Sequence, residues 1–330
     1  MNILYTLNDK FVPQVAAGIT SVCENNKDFK EINFYLMSMG ITDTNKKKLQ
    51  KYIKKYKRNI VFIELDNLNK YFDFDFDTNG WNPIVLARLL LDKLLPKELD
   101  RVLYLDGDTI VRDSLTELWK TDMNGYAIAA SIEPTIDKKR KKSMEMAGFP
   151  YYNAGVLLVD LKKWRKDKVG EQIINYYHNH DGKLFANDQD AINGSQKGKI
   201  YTLSPRYNFY NIFYQYSYRF LSRLCDFEYI SRDIYKYAVD NPAIIHYLGE
   251  ERPWRIGNKH KYRDDYLKYL NMTPWANQNM ESGWKFYFLC WNCFNFLTKP
   301  FPSLRYNIIN RLIPVFMKYR SKKLVKNKEK

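Results

Sequence analysis

Cysteine is scarce in this sequence, which contains four in 330 residues. So few cysteines in a chain of this length exclude the disulfide framework that stabilises small secreted domains. The first residues, MNILYTLND, lack the basic and apolar segments of a secretory signal, so we expect a reducing cytoplasm as the compartment. No glycine- and serine-rich linker or internal repeat divides the chain. The 45% of hydrophobic residues excludes disorder over most of its length.

Positive charge is unevenly distributed. The formal net charge is +16, and residues 283–330 carry +10 of it, with 11 lysines and arginines and one acid, Glu329. The same 48 residues contain 11 aromatic side chains. A segment that is both basic and aromatic favours an anionic membrane surface as its partner. No motif of a nucleic-acid-binding module is present and we expect no nucleic acid partner, although stacking of bases on aromatic rings keeps a basic nucleic-acid-binding protein as an alternative.

Short apolar runs alternate with amphipathic segments over residues 1–250. The runs predict buried strands at 2–7, 32–37, 60–65, 102–105, 126–131, 155–159 and 243–246. Apolar residues recur with helical spacing between them, as at 12–23, 84–95 and 161–178. This alternation predicts an α/β fold with a mainly parallel open sheet flanked by helices. We expect one α/β domain at 1–255, a polar connecting segment at 256–282 and a helical tail at 283–330.

Within this tail, five aromatic residues share one helical face: Trp284, Tyr287, Phe288, Trp291 and Phe294. The uncharged run at 286–298 is too short to span a bilayer, which takes about 20 residues. These features predict an amphipathic, membrane-associating tail that lies in the interface. The alternative is an ordinary helical layer, in which the same aromatic side chains pack on the preceding domain.

The strongest local feature is Asp106-Gly107-Asp108, which directly follows a predicted strand. In an extended chain alternate side chains share a face, so the two carboxylates are expected to point the same way. Gly107 lets the backbone bend and a ligand approach closely. Two carboxylates at the carboxyl end of a strand in an open α/β sheet suit Mg²⁺ or Mn²⁺ bridging a diphosphate. A solvated Asp-Gly-Asp turn explains the spacing equally well.

Three weaker sequence features accompany the Asp-Gly-Asp motif. His246 is the one histidine of four that ends a predicted strand, and an imidazole with two carboxylates suits Mn²⁺. A hydrogen-bonded core histidine is the commoner alternative. The segment NDQD at 187–190 places acids at a helix start, where carboxylates are favoured. Asn153 and Gly155 at the beginning of a strand suit a turn that contacts a sugar.

Together these segments resemble glycosyltransferase family 8 over roughly residues 1–255. In chain order, the likeness is carried by MNILYTLND, Ala87-Arg88, YLDGD, ASIE, YYNAGVLLVDLKKWR, NDQDAING, Arg206-Tyr207-Asn208 and HYLGEERPW. The family includes bacterial lipopolysaccharide and lipooligosaccharide galactosyl- and glucosyltransferases and, more distantly, glycogenin. The resemblance implies a GT-A fold, a UDP-glucose or UDP-galactose donor, Mn²⁺ with Mg²⁺ as an alternative, and transfer with retention of configuration.

The resemblance also implies roles for individual residues. The metal ligands fall on Asp106, Asp108 and His246, and the catalytic positions near the donor sugar on Arg88, Asp188 and Gln189. Further donor-binding positions fall on Thr6, Leu7, Asn8, Asp9, Phe11, Gly107, Glu133, Asn153, Ala154, Gly249 and Arg252. Asn8 stands where the family often has an acid, Glu133 where it has an aspartate and Arg252 where it has a lysine. The Asn8 carbonyl can still accept a hydrogen bond, and arginine clamps phosphate well.

These observations predict transfer of a hexosyl group from a UDP-hexose to a hydroxyl of a glycan, expected to be lipid-linked, in cell-surface polysaccharide or lipopolysaccharide synthesis. The enzyme is expected in the cytoplasm, attached peripherally to the inner face of the cell membrane. Glycogenin-like self-glucosylation stays an alternative, because 27 tyrosines offer many acceptors. Two mechanisms stay open. One passes through a covalent intermediate, for which Asp190 is the nearest carboxylate, and the other is same-face attack, which the neutral Gln189 amide favours.

Overall fold

The computed structural model describes residues 1–328 and centres on one seven-stranded sheet. The strands are β1 (Asn2–Asn8), β2 (Asn33–Met39), β3 (Asn59–Glu64), β4 (Arg101–Leu105), β5 (Thr109–Val111), β6 (Ile128–Ile132), β7 (Tyr152–Asp160), β8 (Ile200–Leu203) and β9 (Ile244–His246). The sheet order is β3-β2-β1-β4-β7-β6-β8, and β7 alone among these seven runs antiparallel to its neighbours. The predicted mainly parallel sheet is confirmed.

The α-helices of the described residues are α1 (Val12–Asn25), α2 (Asp43–Lys54), α3 (Leu91–Leu94), α4 (Thr116–Trp119), α5 (Lys138–Ser143), α6 (Leu161–Lys166), α7 (Val169–His178), α8 (Asn187–Ser195), α9 (Ile212–Gln215), α10 (Tyr218–Leu224), α11 (Arg232–Asp240), α12 (Arg263–Asn271), α13 (Lys285–Thr298) and α14 (Pro302–Lys328). Short 3₁₀ helices occur at Asp9–Phe11, Leu68–Tyr71, Pro83–Leu89 and Pro205–Tyr207. Helices pack against the sheet, with α2 on β3 and α6 on β4 and β7.

Two predicted helices are interrupted in the structure. The segment 84–95 is a 3₁₀ helix followed by the short α3, with Leu90 outside helical geometry between them. The segment 161–178 is two helices, α6 and α7, because Lys168 adopts the left-handed conformation at φ 54° and ends the first one. The spacing of apolar residues predicts which face of a helix is buried, but it does not reveal a single residue whose backbone conformation interrupts the helix.

The segment 256–282, predicted to be a polar connection, contains several buried apolar and aromatic side chains. It contains α12, which packs on α1. Tyr266, Tyr269, Leu270 and Trp275 are all buried there. The segment therefore contributes to the same core as the sheet, while the proposed divisions at 255 and 282 stay predictions.

The aromatic face of α13 that was predicted to contact the membrane packs against the rest of the protein. Phe288 is 2% exposed. Arg255 lies 3.5 Å from the ring centroid of Trp284, and Arg305 lies 5.4 Å from that of Trp291. This face of α13 packs on the protein, as the alternative interpretation held, because its rings meet buried guanidinium groups.

The opposite face of α13 is apolar and open to solvent. Phe286 is 76% exposed and Phe296 79%, with Leu289 and Leu297 also exposed between and beside them. Within residues 1–328, no helix is both long enough and apolar enough to span a bilayer. The tail therefore presents an apolar surface that does not form a membrane span, and its last two residues, 329 and 330, lie outside the described part of the chain.

Candidate active site

A turn and a two-stranded ribbon bring the three predicted metal ligands together. Thr109 in β5 pairs with His246 in the antiparallel β9. Nε2 of His246 lies 3.3 Å from Oδ1 of Asp108 and 3.6 Å from Oδ2 of Asp106. One ligand atom from each residue falls within 4.8 Å of the others. The acids lie in a turn, closed by a hydrogen bond from the Thr109 N–H to the Asp106 carbonyl, and not in the extended chain predicted.

The ligand atoms of this site fit a divalent cation. Nδ1 of His246 lies 2.8 Å from the carbonyl oxygen of the Asn208 side chain, so Nδ1 carries the proton and donates it. Nε2 is then a lone-pair donor, and it is buried without a hydrogen-bond partner among the described residues. Oδ1 of Asp106 is already engaged by Tyr104 and Arg88, which leaves Oδ2 facing the histidine. A free imidazole nitrogen between two carboxylates is a ligand set that Mn²⁺ accepts.

A chain of side-chain amides extends from His246 away from these ligands. Nδ2 of Asn208 donates to Oδ1 of Asn153 at 2.9 Å, and Nδ2 of Asn153 donates to Oε2 of Glu133 at 3.2 Å. Such a chain fixes the ring orientation and tautomer of a ligating histidine. It connects the predicted Asn153 and Glu133 to the metal site. Asn208 had no predicted role, and its place in the family-like segment Arg206-Tyr207-Asn208 was the one available signal.

Glycine is required where the backbone passes close to the ligands. A Cβ at Gly155 would lie 2.1 Å from Cε1 of His246 and 3.0 Å from Oδ2 of Asp106. Any side chain there would displace both ligands. At Gly107 a Cβ would lie 3.0 Å from Cδ1 of Phe11, which shows how tightly the turn packs against the segment after β1.

Arg88 links a metal ligand to the predicted sugar-binding acid. Its Nη2 lies 2.9 Å from Oδ1 of Asp106 and its Nε 3.0 Å from Oδ2 of Asp188. Nη1 donates to the carbonyl of Ala154 at 2.7 Å, and the guanidinium lies over the ring of Tyr104. The side chain is 7% exposed. Every nitrogen of the guanidinium thus has a partner within the protein, so Arg88 positions the two acids relative to each other.

Asp188 lies in the first turn of α8, as its sequence predicted. This helix packs against β7 and against the 3₁₀ helix that carries Arg88. Burial raises the pKa of Asp188 to about 6, because the opposing charge of Arg88 does not compensate for burial and the charge of Asp106 adds to it. A buried carboxyl group with a perturbed pKa beside a cation site is typical of a functional residue.

The carboxamide of Gln189 is held at both ends. Its Oε1 accepts a hydrogen bond from the Ala154 N–H at 2.9 Å, and its Nε2 donates to the hydroxyl of Tyr151 at 3.1 Å. Burial raises the pKa of Tyr151 well above its usual value, so the hydroxyl keeps its proton. It donates that proton to Oδ1 of Asp190 at 2.6 Å. Tyr151 thereby orients both the amide and the neighbouring acid.

Asp190 is fully engaged in this network and is 1% exposed. Arg140 pairs with its Oδ1, and the backbone N–H of Ala186 donates to its Oδ2 at 2.9 Å. The prediction of Asp190 as a candidate for a covalent intermediate rests only on its being the carboxylate next to Gln189 in the sequence. In the folded chain Oδ1 accepts hydrogen bonds from Tyr151 and Arg140, and Oδ2 accepts one from the backbone at the start of α8, so Asp190 is held in place by three contacts.

The end of β1 lies beside the metal turn. The hydroxyl of Thr6 lies 2.9 Å from that of Tyr104, which donates to Oδ1 of Asp106 at 2.5 Å. Oδ1 of Asn8 is buried and has no hydrogen-bond partner among the described residues. A buried acceptor without a partner is rare and suits a ligand that donates an N–H group.

Two neighbouring candidates are engaged in the fold. Leu7 is buried in the core. Oδ1 of Asp9 accepts hydrogen bonds from the backbone and hydroxyl of Thr42 and from Asn45, at the start of α2. Burial by itself raises the pKa of Asp9, but the hydrogen bonds from Asn45 and Thr42 outweigh it and lower the pKa below its usual value. Asp9 therefore anchors α2 next to the end of β1.

Arg252 approaches the metal turn from the loop after β9. Its Nη2 lies 3.7 Å from Oδ2 of Asp108, and its Nε donates to the carbonyl of Gly249 at 3.1 Å. The guanidinium lies 5.5 Å from the ring centroids of both Phe11 and Trp254. These contacts bring Phe11, Gly249 and Arg252 together beside Asp108.

The sequence model of Glycosyl transferase family 8 matches residues 2–256, which include all the residues that build this site. The chain belongs to glycosyltransferase family 8. It is therefore a glycosyltransferase, and the predicted family and enzyme class are confirmed.

Individual relatives cover most of the chain. It is 29% identical over 279 residues to "General stress protein A" of Bacillus subtilis strain 168, spanning 83% of this chain and 94% of that protein. It is 27% identical over 283 residues to "Lipopolysaccharide 1,2-glucosyltransferase" of Escherichia coli K12, spanning 84% and 80%. The solved structure of the galactosyltransferase LgtC with donor and acceptor sugar analogs superposes with a TM-score of 0.71 at 28% identity, covering 83% and 96%. That superposition confirms the GT-A fold.

Proposed function

We propose that this enzyme transfers glucose or galactose from a UDP-sugar to a hydroxyl group of a glycan, with retention of configuration, in lipopolysaccharide or other cell-surface glycan synthesis. The observation that supports it best is the convergence of two carboxylates on a buried histidine nitrogen that forms no hydrogen bond with any residue the structure describes. Among the relatives, one is named a glucosyltransferase of lipopolysaccharide, and the solved structure named above is a galactosyltransferase. Both hexoses therefore stay candidates for the donor.

Asp106, Asp108 and His246 would hold the cation, Mn²⁺ or alternatively Mg²⁺. When bound, the cation supplies Lewis-acid neutralisation of the departing diphosphate. Arg252 adds a positive charge beside Asp108, where the phosphate oxygens would lie, and its planar guanidinium can bind two of them at once. The unpartnered Oδ1 of Asn8 accepts the N–H of the uracil ring. Donor binding thus uses residues at the ends of three different strands.

The donor sugar would lie beside Asp188 and Gln189. Asp188, held by Arg88, accepts hydrogen bonds from sugar hydroxyls and orients the ring for attack. The amide oxygen of Gln189 is already engaged by Ala154, and both oxygens of Asp190 are engaged as well. These contacts favour same-face attack, in which the acceptor oxygen forms the new bond as the diphosphate leaves and the leaving phosphate takes the acceptor proton.

Peripheral attachment to the cytoplasmic face of the membrane would use the exposed face of α13. Phe286, Leu289, Phe296 and Leu297 would insert among the acyl chains, and the basic residues of the tail would contact anionic headgroups. An enzyme held this way works close to a lipid-linked acceptor.

Turnover across a donor panel tests the proposal. Purified protein is incubated with UDP-glucose, UDP-galactose and other UDP-sugars, with Mn²⁺, Mg²⁺ or EDTA, and the UDP released is measured. We expect one UDP-hexose to be turned over only when the cation is present. A mass increase of the protein itself in hexose units would instead support glycogenin-like self-glucosylation, and failure to turn over any UDP-hexose would overturn the proposal.

A further inference from the structure

Glu133 belongs both to the active site and to a separate cleft. On one side it accepts the hydrogen bond of Asn153, which leads through Asn208 to the metal ligand His246. On the other side it lines a cleft of about 210 Å³. The lining of this cleft includes Glu133, Ile136, Lys138, Lys141, Lys142 and Phe227. A molecule in the cleft would therefore lie next to the site where the sugar is transferred.

The cleft carries uncompensated positive charge. Lys141 is 4% exposed, pairs with Asp226 and lies 4.6 Å from the ring centroid of Phe227. Lys138 and Lys142 are exposed at the rim and form no ion pair with any described residue. Of the two acids of the lining, Asp226 pairs with Lys141, and Glu133 accepts hydrogen bonds from the neutral Asn153 and Thr135, so three lysines face two carboxylates and an excess of positive charge remains. Like charges gathered on a concave surface repel one another unless an anion lies between them.

The cleft also adjoins the C-terminal tail. The hydroxyl of Tyr306 in α14 donates to the carbonyl of Ile136 in the cleft wall at 3.4 Å. Arg305 donates to Oε1 of Gln215 at 3.0 Å, which attaches the same helix to the neighbouring α9. The cleft wall therefore contacts the tail, whose helix α13 is proposed to bind the membrane.

We propose that this cleft binds a phosphate or carboxylate group of the acceptor, so that the acceptor is an anionic glycan and not a neutral one. The inference rests on the proposed function, because it takes the Glu133 side of the site as the acceptor side. Lys138 and Lys142 contact the anionic group, while the apolar side chains of Ile136 and Phe227 contact the adjoining part of the acceptor. Lys141, already paired, fixes the position of the cleft wall.

Matched acceptors test the preference. Methyl galactoside and methyl glucoside are compared with their 6-phosphates and with the corresponding uronic acids, using the donor that the UDP-sugar panel identifies. We expect kcat/KM to be about tenfold higher for the charged member of each pair, a difference on the scale of one well-placed charge interaction. The preference should disappear in a Lys138→Gln/Lys142→Gln double variant. Lys139→Gln is the control, because Lys139 belongs to the same helix but does not line the cleft.

Donor hydrolysis without acceptor separates the two proposals. The double variant should hydrolyse the UDP-hexose at the parent rate, because neither lysine contacts the donor site. Absence of hydrolysis in the parent would count against the proposed function. Normal hydrolysis with equal use of neutral and charged acceptors would overturn the anionic cleft alone, and so would an equal loss of preference in Lys139→Gln.

A binding measurement makes the test independent of turnover. The parent, loaded with Mn²⁺ and UDP so that phosphate cannot enter the donor site, is treated with a lysine-methylating reagent, and modification is quantified by mass spectrometry. Glucose 6-phosphate or galactose 6-phosphate should slow modification of Lys138 and Lys142 several-fold and leave Lys139 unchanged, whereas methyl glucoside should protect none. Protection by phosphatidylglycerol vesicles without protection by either sugar phosphate would assign the cleft to a lipid headgroup and overturn the acceptor proposal.

Discussion

Nε of Arg88 lies 3.0 Å from Oδ2 of Asp188, and Nη2 of the same guanidinium lies 2.9 Å from Oδ1 of Asp106. The residue proposed to hold the donor sugar and a residue proposed to hold the cation therefore share one buried partner. Replacing Arg88 would leave the buried Asp188 and the partly buried Asp106 without their shared guanidinium partner, and breaking a buried ion pair commonly costs several kcal/mol of stability. Variants of the two acids are accordingly more informative than variants of Arg88.

Metal dependence is the first prediction. Asp106→Asn or Asp108→Asn should each lower turnover at least about 10²-fold, the scale expected for loss of a key electrostatic stabiliser. Titration calorimetry should show weaker Mn²⁺ binding in both variants. Asp160→Asn is the control, because Asp160 caps α6 through the Lys163 N–H and asparagine caps equally well. Full activity of the parent in EDTA would contradict this prediction.

The pKa of Asp188 predicts how stability depends on pH in the metal-free protein. A folded-state pKa raised from 3.8 to about 6 means that the folded protein binds a proton more tightly than the unfolded chain does. The stability contributed by that proton is fully present below about pH 4 and is lost as pH rises through 6, about 3 kcal/mol in all.

Comparison with Asp188→Asn isolates this effect. Between pH 7.5 and pH 5 the parent should gain about 1 kcal/mol relative to the variant in urea unfolding. His260 has the opposite sign, since burial lowers its pKa to about 4, but it is present in both proteins and cancels in the difference. A difference in stability that does not change with pH would show that the carboxyl group is not perturbed.

Tyr151 is predicted to position Gln189. Tyr151→Phe removes the hydroxyl that accepts from Gln189 and donates to Asp190. We expect kcat to fall about tenfold or more while the affinity for UDP with Mn²⁺, measured by calorimetry, stays unchanged. Tyr177→Phe is a matched control, because the Tyr177 hydroxyl is buried without a hydrogen-bond partner among the described residues. Equal losses in the two variants would point to a general effect of deleting a buried hydroxyl.

Arg252 is predicted to bind the diphosphate. Arg252→Lys should retain substantial activity, since a positive charge remains beside Asp108, whereas Arg252→Ala should lower kcat/KM by loss of transition-state stabilisation. Steady-state kinetics with the preferred UDP-sugar measures both. Identical kinetics for Arg252→Ala and the parent would remove Arg252 from the donor site.

Membrane binding is predicted to depend on the outer face of α13. Phe286→Ser/Phe296→Ser should reduce cosedimentation with phosphatidylglycerol vesicles and leave the melting temperature near that of the parent, because both side chains are exposed. Neutral vesicles should bind both proteins weakly. Phe288→Ser should instead lower the melting temperature, because Phe288 is buried. Undiminished vesicle binding by the double variant would place the contact elsewhere.

These point variants are preferable to deletion of residues 283–330. Three side chains of the tail contact the preceding domain. The ring of Trp284 lies against the guanidinium of Arg255, Arg305 donates a hydrogen bond to Gln215, and Tyr306 donates one to the carbonyl of Ile136. Deleting it would expose those partners, so loss of activity in a truncated protein would not distinguish membrane attachment from folding.

The apolar runs predict seven of the strands found in residues 1–328, but not the short β5 and β8, and β3 is more exposed than its apolar run indicates. The sequence predicts the convergence of Asp106 and Asp108 with His246 only through the resemblance, since β5, the three-residue partner of the predicted strand at 243–246, is too short to detect. The contacts of Tyr151 with Gln189 and Asp190 join residues 38 and 39 positions apart, and no local pattern encodes them. On α13 both faces are apolar, so composition could not decide which face packs inward.

The ribbon of β5 and β9 determines when, during synthesis of the chain, the proposed metal ligands can come together. It unites two acids with a histidine that follows 138 residues after Asp108. During synthesis, six of the nine strands found in residues 1–328 emerge before β7 is complete, yet the three residues are together only once His246 has been added. Capture of the proposed cation would therefore be a late event in biogenesis, and it would close a long loop whose entropy the bound ion would help to offset.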